Sequence, residues 1–487
     1  MKPSAALYAQ VLLIRLEKEC DLMNFEYRKE PIIPQMSFVD DILDIKKCGE
    51  ETKLMNEYTT EQVNQNKLQF SEDKCARIHV ISKKLKRSEC ENVSIDVWKE
   101  TKVKIDSKTV LQDEHKGKVP VKTVSTYTYL GDKILPDGSN KSTIKDRVSK
   151  ATGSSRDIVQ VLEGTYFGQH LFEAFKVLRN SMVYSRLTYN LEIAYNLSKA
   201  DIKALDKVDL CLIRNVTMTS SKVSRSLILL ELGLMSVEYI IKQKRLNYLH
   251  NLIQMEDKFT AKKVFLLQCQ SPLMGDWVKY VHEDMSELQL NYNFDEISKL
   301  SKHKWKQIVK EASEKACLKS LLKDKSKLSK GKEIQYDRLK MKSYLESGYG
   351  LNSDTQRKIL KIRVRDLAIR DNFKNSYSDI KCQVPGCEEV ETQRHIYQSY
   401  CILTSIIQEP NTSIRYEDIF GHNASSQEYI AHTIYDNIEK RKRLFPSAEG
   451  PEEPRKRGGR TKGASASTSL VIGKVRGKKT QGKIKQC

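Results

Sequence analysis

The chain has 487 residues, 39% of them hydrophobic and 30% charged, with a net charge of +21. This length leaves room for two to four domains, and the lack of any run of about 18 apolar residues argues against a membrane span or a secretory leader. The eleven cysteines are mostly scattered singly, which indicates reduced thiols in an intracellular protein and argues against a disulfide framework.

Two adjacent carboxylates, Asp40 and Asp41, lie in the run PQMSFVDDILDI. The pattern predicts strands over residues 36–39 and 42–45 with the acids at the turn, where neighbouring side chains can converge. Carboxylate oxygens suit Mg2+, and two such ions can activate the attacking oxygen and stabilise the leaving oxygen in phosphoryl transfer. An Asp-Asp pair is also common in helix caps and solvated turns, so that alternative stays open.

A polar helical stretch over residues 50–64 separates this turn from a second group of predicted strands. Leu68 and Phe70 alternate with polar residues ahead of Lys74, and a short strand is predicted over 76–80. The pattern favours a strand pair with Lys74 between its members.

The run STYTYLGDKILPDGS predicts a further hairpin. Tyr127, Tyr129 and Ile134 flank it, and Pro136-Asp137-Gly138 supplies residues suited to fixed and positive φ, so we expect the turn there.

The order of these pieces resembles the reverse transcriptases of non-LTR retrotransposons. Phe38-Val39-Asp40-Asp41 resembles the family's catalytic aspartate loop. Residues 68–80, with Lys74, resemble its lysine-bearing strand pair, and Tyr129-Leu130-Gly131 resembles its primer-grip strand. The resemblance implies RNA-directed DNA polymerisation primed on nicked target DNA. Asp40 and Asp41 would bind the catalytic Mg2+, Lys74 would lie near the phosphates of the incoming nucleotide, and Tyr129, Leu130 and Gly131 would grip the primer.

The family's first palm aspartate, its fingers and its template-binding motif all precede the aspartate loop, but only 37 residues stand before Phe38. Asp21 lies in a charged helical context and is not assigned as the missing ligand. We expect the C-terminal fragment of such an enzyme, which does not polymerise alone because half of a metal site neutralises little charge. The rival hypothesis is a non-catalytic zinc-knuckle nucleic-acid-binding protein, either domesticated from the element or a relic.

Residues 139–260 predict a thumb-like helical domain. Apolar residues at helical spacing break near Gly164 and Gly168, and Ser198 with Asp201 forms a predicted capping box. A later helix carries three basic residues opposite its apolar face, which the resemblance places on the template-primer backbone: Lys242, Lys244 and Arg245. A solvated helix face is the alternative.

Residues 261–375 predict a basic helical linker. Trp305, Ile308 and Val309 keep helical spacing among several lysines. The later run TQRKILKIRVRDLAIRDNF resembles the helix that precedes the cysteine-histidine motif in the same retroelements. It supplies a second candidate nucleic-acid face: Lys361, Arg363 and Arg365.

Residues 376–439 hold Cys382, Cys387, His395 and Cys401 at the spacing C-x4-C-x7-H-x5-C, followed by predicted closing helices over 416–441. Three thiolates and an imidazole make a closed tetrahedral Zn2+ site, and Pro385-Gly386 favours a knuckle turn between the first two cysteines. The family carries a similar knuckle, with two residues in the first loop where this chain has four. Unligated thiols are the alternative.

The tail, residues 440–487, contains fifteen Lys or Arg against three Glu, so it carries more than half of the net charge. Its Gly- and Ser-rich composition predicts disorder. Lys440-Arg441-Lys442-Arg443 and Arg455-Lys456-Arg457 are typical of nuclear-import or nucleic-acid patches, and a merely solubilising tail or appended flanking sequence is the alternative.

The sequence therefore predicts an α+β, mostly helical chain: a truncated palm (1–138), the thumb-like domain, the linker, the zinc-knuckle-like module and the tail. Its expected cofactors are Mg2+ in an incomplete site and Zn2+. Expected partners are RNA and DNA, as template-primer and target DNA, together with a missing N-terminal polymerase or endonuclease part, and no membrane. The expected location is the nucleus and cytoplasm.

Overall fold

The computed structural model describes five long stretches, residues 140–194, 197–270, 277–328, 333–367 and 414–444. It also describes shorter segments: 25–27, 30–32, 35–38, 41–44, 76–77, 110–113, 117–120, 122–123, 126–129, 131–135, 369, 371, 379–382, 384 and 386–398. The described part of the chain is 70% helical, which confirms the mostly helical prediction. No helix within it is both long enough and apolar enough to cross a membrane.

Short strands precede the helices in the described segments and form two-stranded pairs. Their bounds are β1 (Phe25–Tyr27), β2 (Glu30–Ile32), β3 (Gln35–Phe38), β4 (Asp41–Asp44), β5 (Ala76–Arg77), β6 (Val110–Asp113), β7 (Gly117–Pro120), β8 (Lys122–Thr123), β9 (Tyr127–Tyr129) and β10 (Asp132–Ile134). β5 pairs with β8 in parallel, whereas β1 with β2, β3 with β4, β6 with β7 and β9 with β10 are antiparallel.

The β3–β4 pair is the hairpin predicted around the two aspartates. Phe38 pairs with Asp41, so two residues connect the strands, and each strand lies one position earlier than predicted. Asp40 falls outside the described residues, as does the side chain of Asp41. The hairpin is therefore confirmed, and its metal-binding role stays a prediction.

The β9–β10 pair is the hairpin predicted between Tyr127, Tyr129 and Ile134. Tyr129 pairs with Asp132, so two residues connect the strands; Pro136-Asp137-Gly138, the predicted turn residues, lie outside the described residues. A two-residue hairpin loop requires positive φ, which glycine adopts without steric cost. Gly131 has a φ of 84° and meets that requirement.

The helices follow from residue 141 onward, with bounds α1 (Lys141–Gly164), α2 (Leu171–Leu178), α3 (Ser185–Leu187), α4 (Lys199–Thr217), α5 (Arg225–Leu232), α6 (Val237–Gln254), α7 (Thr260–Gln270), α8 (Trp277–Glu287), α9 (Phe294–Ser298), α10 (Lys302–Ser326), α11 (Ser353–Arg363), α12 (Gln393–Gln398) and α13 (Ala424–Leu444). A π-helix over Arg179–Tyr184 joins α2 to α3, and 3-10 turns lie at Gly168–His170, Ser343–Leu345, Ser347–Tyr349 and Tyr416–Phe420.

Several helix ends lie where the sequence predicts them. α1 ends at Gly164, and the chain turns through a 3-10 segment before α2. The Ser198 side chain accepts a hydrogen bond from the Asp201 N–H, and the Asp201 carboxylate accepts one from the Ser198 N–H, which confirms the capping box. The predicted closing helices are one 3-10 turn and one long helix, α13, which continues to Leu444. Residues 440–444 of the predicted disordered tail are therefore helical.

One hydrophobic core joins the described helices, from Ile144 on α1 to Ile434 on α13. It crosses the predicted boundaries after residues 260 and 375. Trp305 on α10 is fully buried and donates a hydrogen bond to the Leu246 carbonyl on α6 at 2.8 Å. The segments predicted as thumb, linker and Cys/His module thus pack against each other and share apolar contacts.

Candidate metal centre

Three potential metal ligands, Cys382, Cys387 and His395, converge in the segment before α13. Their ligand atoms all lie within 4.8 Å of one another, and Cys387 Sγ lies 3.5 Å from His395 Nε2. Around a tetrahedral Zn2+, bonds of about 2.3 Å to sulfur and 2.0 Å to nitrogen would put these two atoms roughly 3.5 Å apart. The cluster can hold a metal ion, and its spacing is compatible with zinc.

The two cysteines are positioned by a short antiparallel turn. Lys381 bridges Val390, and the Cys382 N–H donates to the Glu389 carbonyl at 2.7 Å. The Cys387 N–H donates to the Val384 carbonyl at 3.0 Å. Gly386 has a φ of 80°, a conformation that costs glycine little. These contacts bring Cys387 back toward Cys382; Pro385, the other predicted turn residue, lies outside the described residues.

His395 lies in the first turn of α12. Its backbone N–H donates to the hydroxyl of Thr392 at 3.0 Å. Thr392 therefore caps the helix and fixes the position of the His395 backbone, from which the imidazole extends. Burial lowers the pKa of His395, and the charge of Arg441 lowers it further. The neutral imidazole is the form that binds metal ions, so the site favours the ligand form.

Arg441 closes the cluster from α13. It is 4% exposed and donates from Nη1 to Cys382 Sγ at 3.4 Å. Asn437, one turn earlier, donates from Nδ2 to the Ile396 carbonyl at 3.0 Å. A guanidinium at this position offsets the negative charge that thiolate ligands bring to a metal centre.

Three of the four predicted zinc ligands are thus brought together, and the fourth, Cys401, lies outside the described residues. Sequence reasoning missed the role of Arg441: it made this residue the end of the predicted closing helices and also counted it in the basic tail. The signal that could have found it is spacing. Ile430, Ile434, Asn437 and Arg441 repeat at helical intervals, and all four are buried on one face of α13.

The predicted basic face of α6 points into the protein. Arg245 is buried, pairs with Asp284 at 2.6 Å and donates to the Ala194 carbonyl at 3.0 Å. Lys242 is buried and pairs with Glu238 and Glu287. Lys244 donates to the Thr188 carbonyl at 3.0 Å. These contacts give all three cations structural roles, and a phosphate would have to displace them.

The second predicted face is also largely internal. Arg363 is 2% exposed, pairs with Glu231 at 2.9 Å and donates to the Ile419 carbonyl at 2.9 Å. Arg365 has a φ of 59°, pairs with Glu333 and donates to the side-chain oxygen of Gln393 at 3.1 Å. Lys361 is half-buried at the end of α11. Arg365 therefore connects this segment to α12 and the metal cluster.

The proposed polymerase residues are described only in part. Asp40, Lys74 and Leu130 lie outside the described residues, and so do the side chains of Asp41 and Tyr129. The Gly131 carbonyl accepts a hydrogen bond from Arg147 at 3.1 Å.

Arg147 on α1 also pairs with Asp132, which accepts a hydrogen bond from Asn190 at 2.7 Å. Thr143 exchanges hydrogen bonds with the backbone of Lys133 at 3.1 and 3.2 Å. The β9–β10 hairpin is thus anchored on the first described helix.

Comparison of the sequence with family models gives no match, and a search of the curated proteins gives none either.

Proposed function

We propose that this chain is a nucleic-acid-binding protein of the non-LTR reverse transcriptase kind, related to the C-terminal part of those enzymes, with a Cys/His module organised by Zn2+. The observation that carries the proposal is the convergence of Cys382, Cys387 and His395 beside Arg441. Two sulfurs and an imidazole favour zinc over Mg2+ or Ca2+, which prefer oxygen ligands. Cys401 is the proposed fourth ligand.

Zinc in this module would act structurally. The residues around the cluster hold three separate pieces of chain: the turn over 381–390, α12 and α13. A closed four-ligand site would tie the turn and α12 together, because it adds metal bonds that the unfolded chain does not form. α13 contributes no ligand and is joined to the site by the hydrogen bond from Arg441 to Cys382. The module would then present one fixed surface to a nucleic-acid backbone.

The charge of the chain supports a polyanionic partner. A net charge of +21 gives an electrostatic attraction to phosphates that is strongest at low salt. RNA and DNA, as template-primer and target DNA, are the partners that the family resemblance implies, and location in the nucleus and cytoplasm is proposed with them.

RNA-directed DNA polymerisation is the second candidate function. The β3–β4 hairpin supports it, because Phe38 pairs with Asp41 and so puts Asp41 at the start of β4, next to the connection between the strands. Mg2+ on Asp40 and Asp41 is part of this proposal. Template-dependent synthesis by the purified chain, lost on Asp40→Ala, would establish this function and overturn the expectation that the chain does not polymerise alone. Equal incorporation by both proteins would refute this function.

The proposed function is tested by titrating the purified chain onto a primer-template duplex and a single-stranded RNA over a salt series, with and without a zinc chelator. We expect affinity that falls steeply with salt and weakens on chelation. Cys387→Ser should behave like the chelated protein, whereas Cys211→Ser, at an exposed cysteine on α4, should behave like wild type. The proposal would be contradicted if the affinity for nucleic acid were the same with and without the chelator and were lost on deletion of residues 445–487.

A further inference from the structure

α10 carries a large excess of positive over negative side chains. Its 25 residues include eight lysines and three acidic side chains. Its inward side is defined by Trp305, Val309, Ser313, Cys317 and Leu321, which are all buried and repeat every four residues. Five half-buried residues of the same helix also pack against the core: Ile308, Ala312, Ala316, Leu318 and Leu322. Apolar side chains therefore supply the packing of the helix, and its exposed lysines are not needed to build the core.

Three of these lysines form a row, named here the lysine row: Lys315, Lys319 and Lys323. Each is exposed, and the spacing of four residues puts them on one face, one above the other. At 1.5 Å per residue the row is about 12 Å long, which matches three to four phosphates of one nucleic-acid strand at 3.4 Å per nucleotide. Lys302, Lys306 and Lys310 form a second exposed row nearer the start of the helix.

The lysine row lacks the intramolecular partners found elsewhere. Within the described residues, no carboxylate lies within 4.0 Å of any of its three ammonium groups, whereas Lys310 pairs with Glu314 and Lys327 with Asp324. Like charges four residues apart on a helix repel each other and destabilise the helix. A polyanion bound along the row would remove that repulsion.

We propose that the lysine row is a binding surface for the sugar-phosphate backbone of a nucleic acid, an inference that rests on the proposed function and assigns it a surface apart from the metal centre. Lysine binds phosphate as a point charge without reading bases, so binding here is independent of sequence. None of the large hydrophobic side chains of α10 is exposed. The face therefore lacks the apolar anchors used by protein partners and by membrane-surface helices.

The chain offers a matched control on α4. Lys199, Lys203 and Lys207 are exposed and also spaced by four residues. Within the described residues these lysines also have no carboxylate within 4.0 Å, because Asp201 caps the helix, Asp206 pairs with Arg225 and Asp209 pairs with Arg179. The two rows therefore match in exposure, spacing and lack of ion pairs. Removal of the α4 row changes the net charge of the protein by the same amount, so a difference between the two variants reports position and not total charge.

The test compares the full chain with two triple variants, Lys315→Gln/Lys319→Gln/Lys323→Gln and Lys199→Gln/Lys203→Gln/Lys207→Gln. Affinity for a duplex of about 20 base pairs is measured by fluorescence anisotropy over a salt series. Each phosphate contact contributes about 0.9 to the slope of log K against log salt. We expect the slope of the α10 variant to fall by about 2 to 3, and that of the α4 variant to change by less than about 1.

A second measurement locates the contact directly. Acetylation of lysines in the wild-type chain, with and without the duplex, is quantified by mass spectrometry, and we expect protection at Lys315, Lys319 and Lys323. If wild type binds but both triple variants lose equal slope and the row is not protected, this inference is overturned while the proposed function stands. The inference would also be overturned if the wild-type chain bound anionic vesicles more tightly than the duplex and the α10 variant lost the vesicle binding. If wild type binds no nucleic acid, the proposed function itself fails.

Discussion

The guanidinium of Arg441 donates a hydrogen bond to the sulfur of Cys382 across 3.4 Å, although 59 positions separate the two residues. The contact joins α13 to the candidate metal centre. Arg441 lies beside Ile434 and Asn437 on the buried face of its helix, so its cation is fixed by packing. Groups in contact with metal ligands hold them in place and tune their charge.

Arg441→Gln is expected to weaken zinc affinity by about 10- to 100-fold, the usual effect of losing a group that supports a ligand. The reason is that the neutral amide no longer offsets thiolate charge at Cys382. Competition against a fluorescent zinc chelator measures the change. Arg443→Gln removes a charge from an exposed position two residues away and should leave the affinity unchanged. Equal losses in both variants would assign the effect to net charge alone.

Removal of the metal is expected to loosen one part of the fold and not the rest. Hydrogen exchange should rise over residues 386–398 and over α13, because the cluster and the Asn437 contact to Ile396 hold these segments together. Exchange in α1 should not change. Cys387→Ser should reproduce the pattern, and Cys211→Ser should not. Exchange that is the same with and without chelator would mean that the cluster contributes no folding energy.

The helices could be predicted from the sequence because their signals are local. The capping box at Ser198 and the apolar spacing around Trp305 each depend on a few neighbouring residues, and both were confirmed. Buried cations could not be predicted in this way. Arg363 donates a hydrogen bond to Glu231, which lies 132 positions earlier in the sequence. A pattern of neighbouring residues cannot detect a partner at that separation, so the arginine was assigned to the solvent-exposed surface.

The same limit applies to the candidate site. Cys382, Cys387 and His395 were predicted because their spacing in sequence reflects the ligand set. Arg441 was predicted both as the last residue of the closing helices and as part of the basic run KRKR, and neither pattern indicates that its side chain contacts a cysteine 59 positions earlier. The Mg2+ ligands stay a prediction, since Asp40 and the side chain of Asp41 lie outside the described residues.

Neutralisation of Glu231 is expected to lower the free energy of unfolding more than neutralisation of an exposed carboxylate. Glu231 is fully buried, pairs with Arg363, and accepts hydrogen bonds from Tyr336 at 2.6 Å and Tyr344 at 2.7 Å. Glu231→Gln leaves the arginine buried without its charge partner, so the free energy of unfolding should fall by about 3 to 5 kcal/mol. Glu256→Gln breaks an exposed pair with Lys258 and should cost about 0 to 1 kcal/mol. Urea unfolding of both variants measures the difference.

The pH dependence of that difference gives a separate prediction. Burial alone would raise the pKa of Glu231, but Arg363, Tyr336 and Tyr344 outweigh burial and hold the pKa below its usual 4.5. A carboxyl group with a lowered folded pKa stabilises the protein above its unfolded pKa, and this stability is lost as pH falls through the folded value. The gap between wild type and Glu231→Gln should therefore be constant above about pH 5.5 and shrink below pH 4.5. A gap that widens on acidification would contradict the assignment.

Gly233 ends α5 where another segment crosses at close range. Its φ is 59°, and a Cβ built on it would clash with the backbone nitrogen of Met341. The crossing segment is fixed by the Lys342 N–H, which donates to the Glu231 carbonyl at 3.0 Å. A side chain here therefore meets backbone that cannot move without breaking the contact beside the Glu231–Arg363 pair.

Gly233→Ala is expected to lower the free energy of unfolding by about 3 kcal/mol or more, since it combines left-handed strain with a backbone clash. Gly153 is the matched control: it lies inside α1, and nothing lies within 4 Å of a Cβ built there. Gly153→Ala should stabilise the protein by about 0.5 to 1 kcal/mol, because alanine loses less entropy in a helix. Urea midpoints of the two variants should shift in opposite directions. A neutral Gly233→Ala would mean that the 340–342 segment does not pack on α5 in solution.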